Sequence, residues 1–394
     1  MKLRALSAMG LIVLPLAAPA QDPPQAFQLH GFAAVNPITT TGNNFFGKTA
    51  NSMSLEFWEL GLNASWRPNT ELLLSAQVTS RLAGEEDDGA PRLDYGLLSY
   101  TFLNNKDNRA GLRIGRVLNP LGLYNETRDV AFTRNSILLP QSIYFDRTRD
   151  IALSGDGVQL FTHHSTDTGD FSLQLNAGLP RTDDSGRGER ALLGPRASGE
   201  LSPEPSVNLR LLYDRNGGRI RLALSAASSN FEYDQAERFD PVSDGDVEFR
   251  YLFLSAQYNA EKFTLTTELG PRVFKTSGLG IPDTNTTGES FYIEGLYRFR
   301  PSWEVFVRYD TLFTDRRDRQ GNAFARRDPL GRPAYTRFAK DLTAGLTWRI
   351  NRSALIRAEY HYVDGTAWLP LADNDPNALE RYWSIFALQF ALRF

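Results

Sequence analysis

The 394-residue chain contains no cysteine, so no disulfide supports its fold and no thiol takes part in its chemistry. Beyond Gln21 it also lacks any long apolar run, and the longest uninterrupted stretches, such as Ile137–Leu139 and Tyr251–Leu254, span only a few residues. A membrane-spanning helix needs roughly 20, which excludes a helical membrane protein. Charge of one sign is missing as well: the formal net charge is -3, too small to make nucleic acid or an anionic surface the main partner through a global field. Only local charge can matter. No glycine-rich loop sits between a strand and a helix to cradle phosphate, and no internal repeat, heptad or interdomain linker is visible. The four histidines are His30, His163, His164 and His361; the adjacent pair His163 and His164 would point to opposite faces of a strand, so no metal site is expected there. No cofactor is expected.

What is present begins with a leader. Lys2 and Arg4 precede an apolar stretch from about Leu6 to Ala17, followed by Ala18, Pro19 and Ala20 ahead of Gln21. That is the layout of a secretory signal peptide, so residues 1–20 are expected to be removed and 21–394 to form one exported domain.

In the remainder, residues alternate with period 2 in sixteen segments, near 27–38, 53–66, 70–80, 92–103, 109–117, 156–163, 169–178, 205–214, 218–228, 246–258, 261–272, 289–299, 302–313, 340–350, 353–363 and 383–394. Each has about the ten residues a tilted membrane strand requires. Short polar turns, such as Arg67–Asn69, Arg215–Gly217 and Asn351–Arg352, strictly alternate with long loops at 39–52, 81–91, 118–155, 179–204, 229–245, 273–288, 314–339 and 364–382. Short turns on one side and long loops on the other, with an even strand count, describe an all-β antiparallel up-and-down transmembrane barrel with both termini at the turn end. Segments 92–103 and 246–258 change phase midway, which predicts bulges there.

The two faces of each strand differ sharply. Near 302–313, Trp303, Val305, Val307 and Tyr309 alternate with Glu304, Arg308 and Asp310, with Phe306 as an exception on the polar face. Lipid outside and water inside explains both faces. A soluble barrel would show the same alternation with the apolar face inward. The lipid-facing reading rests instead on the leader, on the chain length and on aromatic residues near strand ends, Trp66, Tyr100, Phe102, Trp303, Trp348, Tyr362 and Tyr382, which fit interfacial girdles. Lipid-facing and subunit-facing strands share one pattern, so a monomer and a homotrimer are both compatible with it.

The last strand carries Phe386, Leu388, Phe390, Leu392 and Phe394 on one face, with Ala387, Gln389, Ala391 and Arg393 on the other. A terminal strand ending in Phe394 resembles the signal read by the barrel-assembly machinery of bacterial outer membranes. The third loop, 118–155, is the longest and too apolar to be freely solvated; Leu121, Leu123, Phe132, Ile137, Leu138, Leu139 and Ile143 should pack against the barrel wall. Leader, strand and loop rhythm, long third loop and terminal Phe together resemble the Gram-negative porins, including anion- and phosphate-selective ones. The resemblance implies an outer-membrane location, sixteen strands, a third loop folded inward, and passive diffusion of small hydrophilic solutes.

If that loop lines a constriction, its charges Glu126, Arg128, Asp129, Arg134, Asp146, Arg147, Arg149 and Asp150 become selectivity candidates, with Arg113, Arg219, Arg221, Arg308 and Arg357 inward on the wall by alternation. The excess of arginine leans towards anions. The rival to each assignment is a structural ion pair in the lumen. Glu85–Asp88 and Asp373–Asp375 read as solvated loop charge, whereas the arginines of the seventh loop suit lipopolysaccharide or anion steering. Two other functions stay open: a binding or adhesive barrel plugged by the third loop, and a barrel enzyme built on His361 and Asp364.

Overall fold

The computed structural model describes residues 27–182, 186–194, 197–236 and 240–394; the leader lies outside the described residues. Nineteen strands join one antiparallel sheet, and sixteen of them form a closed barrel wall. These are β1 (Phe27–Val35), β2 (Phe57–Trp66), β3 (Leu72–Ala83), β4 (Asp88–Asn104), β5 (Asn108–Leu118), β6 (Ser154–Thr166), β7 (Gly169–Pro180) and β8 (Ser206–Arg215). The second half comprises β9 (Ile220–Asp234), β10 (Gly245–Asn259), β11 (Phe263–Ser277), β12 (Thr284–Arg300), β13 (Trp303–Phe313), β14 (Phe338–Arg349), β15 (Ala354–Gly365) and β16 (Tyr382–Arg393). Each pairs with the next, and β1 closes the ring on β16 through Phe32↔Arg393 to Val35↔Phe390. Three short strands, Ile38–Thr40, Met53–Ser54 and Glu200–Pro203, add to the wall at its loop end.

Local chemistry sets the turn end. Asn69 Oδ1 accepts the amides of Glu71 and Leu72 at 3.0 and 2.8 Å, and Asn105 Oδ1 accepts that of Asn108 at 2.8 Å. Such side-chain loops close a hairpin without further residues. Between β8 and β9 the backbone runs left-handed through Asn216, Gly217 and Gly218, a conformation only Gly and Asn tolerate readily.

Burial is inverted relative to a soluble protein. Along β13, Val307 is 53% exposed while Arg308 and Asp310 are each 1% exposed. An exposed apolar side chain every second residue around the whole ring is the surface a hydrocarbon layer requires. Two aromatic belts bound it. Trp66, Tyr100, Phe102 and the stacked pair Trp303 and Trp348, 5.4 Å between ring centres, mark the turn end; Tyr309, Tyr360, Tyr362 and Tyr382 mark the loop end.

Two expectations need correction. Loops at 81–91, 229–245 and 273–288 are shorter than the hydropathy suggested, because strand pairing continues to Ala83, Asp234 and Ser277 and resumes at Asp88, Gly245 and Thr284. Those extensions rise past the lipid level, where outward Glu232, Asp246 and Glu248 erase the alternation. Segment 246–258 holds no bulge: its register with β11 is constant, and Phe249, Tyr251 and Phe253 simply face inward, the last two stacked at 5.0 Å. The bulges expected in 92–103 are present, with the register slipping at Asp94 and at Phe102. Phe306, the exception on the polar face, lies over Gly345 of the neighbouring strand, where a Cβ would come within 2.1 Å of its ring.

Candidate functional site

Residues 119–153 run inside the barrel as short 3-10 turns at Asn125–Thr127, Ala131–Thr133 and Asp146–Thr148 and a five-residue helix, α1 (Arg149–Leu153). The loop cannot form a sheet with the wall from inside, so its buried amides and carbonyls need side-chain partners. Inward wall residues supply them. Glu268 of β11 accepts the Leu123 amide at 3.1 Å and the Tyr144 hydroxyl at 2.6 Å, and Asp310 of β13 accepts the Ser142 amide at 3.1 Å. Glu359 of β15 accepts the amides of Ile137 and Leu138. Arginines take the carbonyls: Arg210 donates to Gly122 at 3.0 Å, Arg308 to Leu138 at 2.9 Å and Arg357 to Arg134 at 2.6 Å. On the other side of the ring Arg134 pairs with Glu59 of β2 at 2.6 Å, and Asp146 pairs with Arg81 of β3 at 3.3 Å.

Apolar contact complements these bonds. Leu121, Leu139, Ile143 and Tyr144 pack on inward Phe253 and Tyr292, while Ile137 and Leu138 join Phe45 and Phe46 of the first loop and Trp368 and Leu369 of the eighth. Phe132, by contrast, stands beneath the Arg393 guanidinium, 4.4 Å from the ring centre.

The loop's own charges largely neutralise one another. Arg149 is bonded to Asp129, and Arg128 donates to Asp146 at 3.2 Å and to the Tyr144 carbonyl at 3.1 Å. Burial alone would raise Asp129 and Asp146, yet Arg149 and Arg128 hold the first, and Arg81 and Arg128 the second, below the ordinary carboxylate value. Burial pushes Arg128 down to about 10, which leaves it charged at neutral pH. Arg147 reaches out of the lumen to the Ala191 carbonyl in α2 (Arg187–Leu193) at 2.9 Å.

A cavity of about 580 Å³ lies between this loop and the wall of β1–β4 and reaches the turn end at Arg352 and Arg393. Glu126 and Asp129 border it from the loop, facing His30, Asn63, Gln77 and Tyr95. The bulge at Asp94 turns two consecutive side chains inward: Asp94 onto Gln77 and Thr79, Tyr95 onto Asn63.

The thirteen candidates therefore divide, with Asp150 drawn to Arg92 at 3.3 Å and Arg187 at 3.2 Å. Glu126, Arg128, Asp129, Arg134, Asp146 and Arg149 gather in the lumen; Arg308 and Arg357 are buried beneath the loop as supports and expose almost nothing. Arg113 lies on the lumen wall with its guanidinium 4.8 Å from the Phe161 ring centre and bonded to the neutral Gln159. Arg221 faces inward at the turn end, bound to Asp214 at 2.9 Å, whereas Arg219, expected inward, is exposed just before β9 and turns instead onto the outward Tyr258, to whose hydroxyl it donates at 3.0 Å. Arg81, Glu59, Arg210, Glu294 and Asp94 went unnoticed in the sequence. Each is a charge at an inward position of a strand, and that was the available signal. His361 and Asp364 do not meet: His361 faces in, with Nδ1 2.8 Å from Asp341, whereas Asp364 faces out and pairs with Arg381 at 2.6 Å. Among the described residues no group of three or more His, Asp or Glu side chains could hold a metal.

A closed sixteen-stranded barrel, apolar outside and charged inside, with its longest loop hung across the lumen, is the architecture of the porin class. No protein-family model and no curated protein matches the chain. Solved structures do. The outer-membrane channel DcaP of Acinetobacter baumannii is 13% identical, with 96% of this chain and 100% of that chain covered and a TM-score of 0.58. An anion-selective porin from Comamonas acidovorans is 12% identical over 94% of this chain and 99% of that one, at 0.57. The outer-membrane expressed OmpT of Vibrio cholerae is 12% identical over 95% and 99%, at 0.59. At these identities the likeness is one of fold, and the fold is that of outer-membrane porins.

Proposed function

We propose that the chain is an outer-membrane porin that passes small hydrophilic solutes by diffusion, with residues 119–153 narrowing its lumen and residues 1–20 removed on export. The observation that carries this reading is the wiring of the loop: Glu268, Asp310, Glu359, Arg308 and Arg357 commit inward charges to its backbone, which holds it at a fixed depth beside the cavity of about 580 Å³. Anion preference is supported by Arg113, whose partners are an amide and an aromatic ring rather than a carboxylate. Arg128, Arg134 and Arg149 in the loop are by contrast paired with Asp146, Glu59 and Asp129. A charge left uncancelled in a narrow passage sets the preference. No catalytic step is assigned, since the one sequence-adjacent His and acid near a loop face opposite sides of the wall. The solved relatives include a trimer form of OmpT, and three copies of this barrel would bury part of the outward apolar surface in the same way.

A second reading is favoured by one observation. The loop is tied to both sides of the ring, and the first and eighth loops pack over Ile137 and Leu138, so the lumen could be plugged and the barrel serve binding or adhesion. Single-channel conductance of the refolded protein in a planar bilayer, repeated after deletion of residues 125–148, separates the two. Open steps that enlarge on deletion support the constricted porin. A silent intact protein that conducts only after deletion supports the plugged barrel, and silence in both removes the channel reading.

A further inference from the structure

The seventh loop starts on the outward face of the wall, and only its end, at Tyr335, is tied to the eighth loop. On β12 the side chains of Ser290, Tyr292 and Glu294 are buried towards the lumen, so Glu289 faces out, and Arg319 grips it from the loop with bonds of 2.6 and 3.0 Å. The same guanidinium stands 5.8 Å from the ring centre of Phe313 at the rim. Neighbouring strands repeat the arrangement. Lys340 lies 5.3 Å over the Phe338 ring and Arg381 lies 4.7 Å over the Tyr382 ring, both on the outward face at the loop end. This row of cations stands immediately above the aromatic belt, on the lipid side of the wall.

The loop itself is built rather than slack. Asp318 accepts the Phe324 amide at 2.8 Å at the start of α3 (Asn322–Arg327), Arg332 pairs with Asp328 at 2.6 Å, and the Tyr335 hydroxyl donates to the Leu379 carbonyl at 2.7 Å. On this support Arg316, Arg317, Arg326 and Arg327 are exposed, and among the described residues none of the four guanidinium groups pairs with a carboxylate. Nearby Leu330 is 62% exposed. The adjoining flank at β9 and β10 has the other sign, with outward Glu232, Asp234, Asp246 and Glu248 against Arg250 and Lys275. The positive patch is therefore one-sided.

We propose that the seventh loop and the outward rim of β12–β16 form a docking surface for the phosphate-bearing headgroup of an anionic glycolipid of the surrounding leaflet. Unpaired guanidinium groups present the two-pronged donor geometry that phosphate accepts, and the belt below fixes the depth at which headgroups lie. Because the row faces away from the lumen, its ligand is a lipid beside the barrel rather than a solute within it. The proposal rests on the outer-membrane reading above.

The test uses the refolded full-length mature chain in detergent, with bisphosphoryl lipid A and its dephosphorylated form as probes and native mass spectrometry as the readout. Retention of the bisphosphoryl form at least about tenfold over the dephosphorylated form is expected, together with its loss at high salt and in the variant R316S/R317S/R326S/R327S. Heat-modifiable gel migration reports whether that variant folds, and if it does not, R326S/R327S on α3 replaces it. Equal retention by variant and parent, or equal retention of the two lipids, overturns the proposal. Displacement of the lipid by millimolar inorganic phosphate also overturns it, since the site would then be one for free anions. Conductance recorded on the same preparation fails or succeeds independently, so loss of the channel reading is not mistaken for loss of this one.

Discussion

Arg308 shows how a charge at an inward position can be structural. Its guanidinium reaches the Leu138 carbonyl at 2.9 Å, the Ser136 hydroxyl at 3.1 Å and Glu294 at 3.3 Å while only 1% of the residue is exposed. Arg308→Ala strips Glu294 of its cation and the loop of a tie, and is expected to cost roughly 3–5 kcal/mol, as for other buried pairs that lose one member. Denaturant unfolding measures the loss, and larger conductance steps should accompany it; unchanged steps would show that the loop holds its place without this arginine. Gly345 makes a converse point. Its hydrogen lies under the Phe306 ring, so Gly345→Val must drive the ring from its seat, with an expected loss of about 1–3 kcal/mol in the same unfolding assay. Replacement without effect would mean that the ring has another place to go.

At the scale of elements, the lumen loop has a predictable response to acid. Asp129 and Asp146 sit below their ordinary value, so their ties to Arg149, Arg128 and Arg81 contribute fully above the unfolded carboxylate value of about 3.9 and fade as pH falls through the lower folded values. Conductance is therefore expected to stay constant from neutrality down to about pH 5 and to change only below about 4. A change centred near pH 6 would place control elsewhere. Strands themselves were plain in the sequence: all sixteen segments reappear in the wall, because a face of lipid and a face of water impose period 2 on every one. Loop ends were not, since β9–β12 continue into water, where Glu232 and Glu248 can face outward at no cost and hydropathy carries no signal. The apparent phase change at 246–258 misled for a different reason. Tyr251 and Phe253 are aromatic and inward because the loop, not water, lies opposite them, and Phe249 packs on Tyr251. The depth of Arg308 and Arg357 was hidden likewise, for alternation reports which face a side chain takes but not what lies against it.

For the whole molecule, inverted burial makes the lipid layer part of the fold's energetics. Val307 faces hydrocarbon near the middle of β13, so Val307→Arg is expected to cost about 2–4 kcal/mol in vesicles and far less in a form denatured in urea. Equilibrium folding into vesicles of defined thickness checks this, and a neutral outcome would contradict the outward orientation of that strand. The wiring of the loop has one further implication, and it concerns closure of the ring. Leu123, Ser142 and Ile137 are held by Glu268, Asp310 and Glu359, which follow them by 145, 168 and 222 residues. These ties join the loop to strands written long after it, while Glu59 and Arg81 hold it to strands written before it. Both sets of ties can be complete only in a ring whose two halves face one another across the loop, as the staves of a cask stand about its contents.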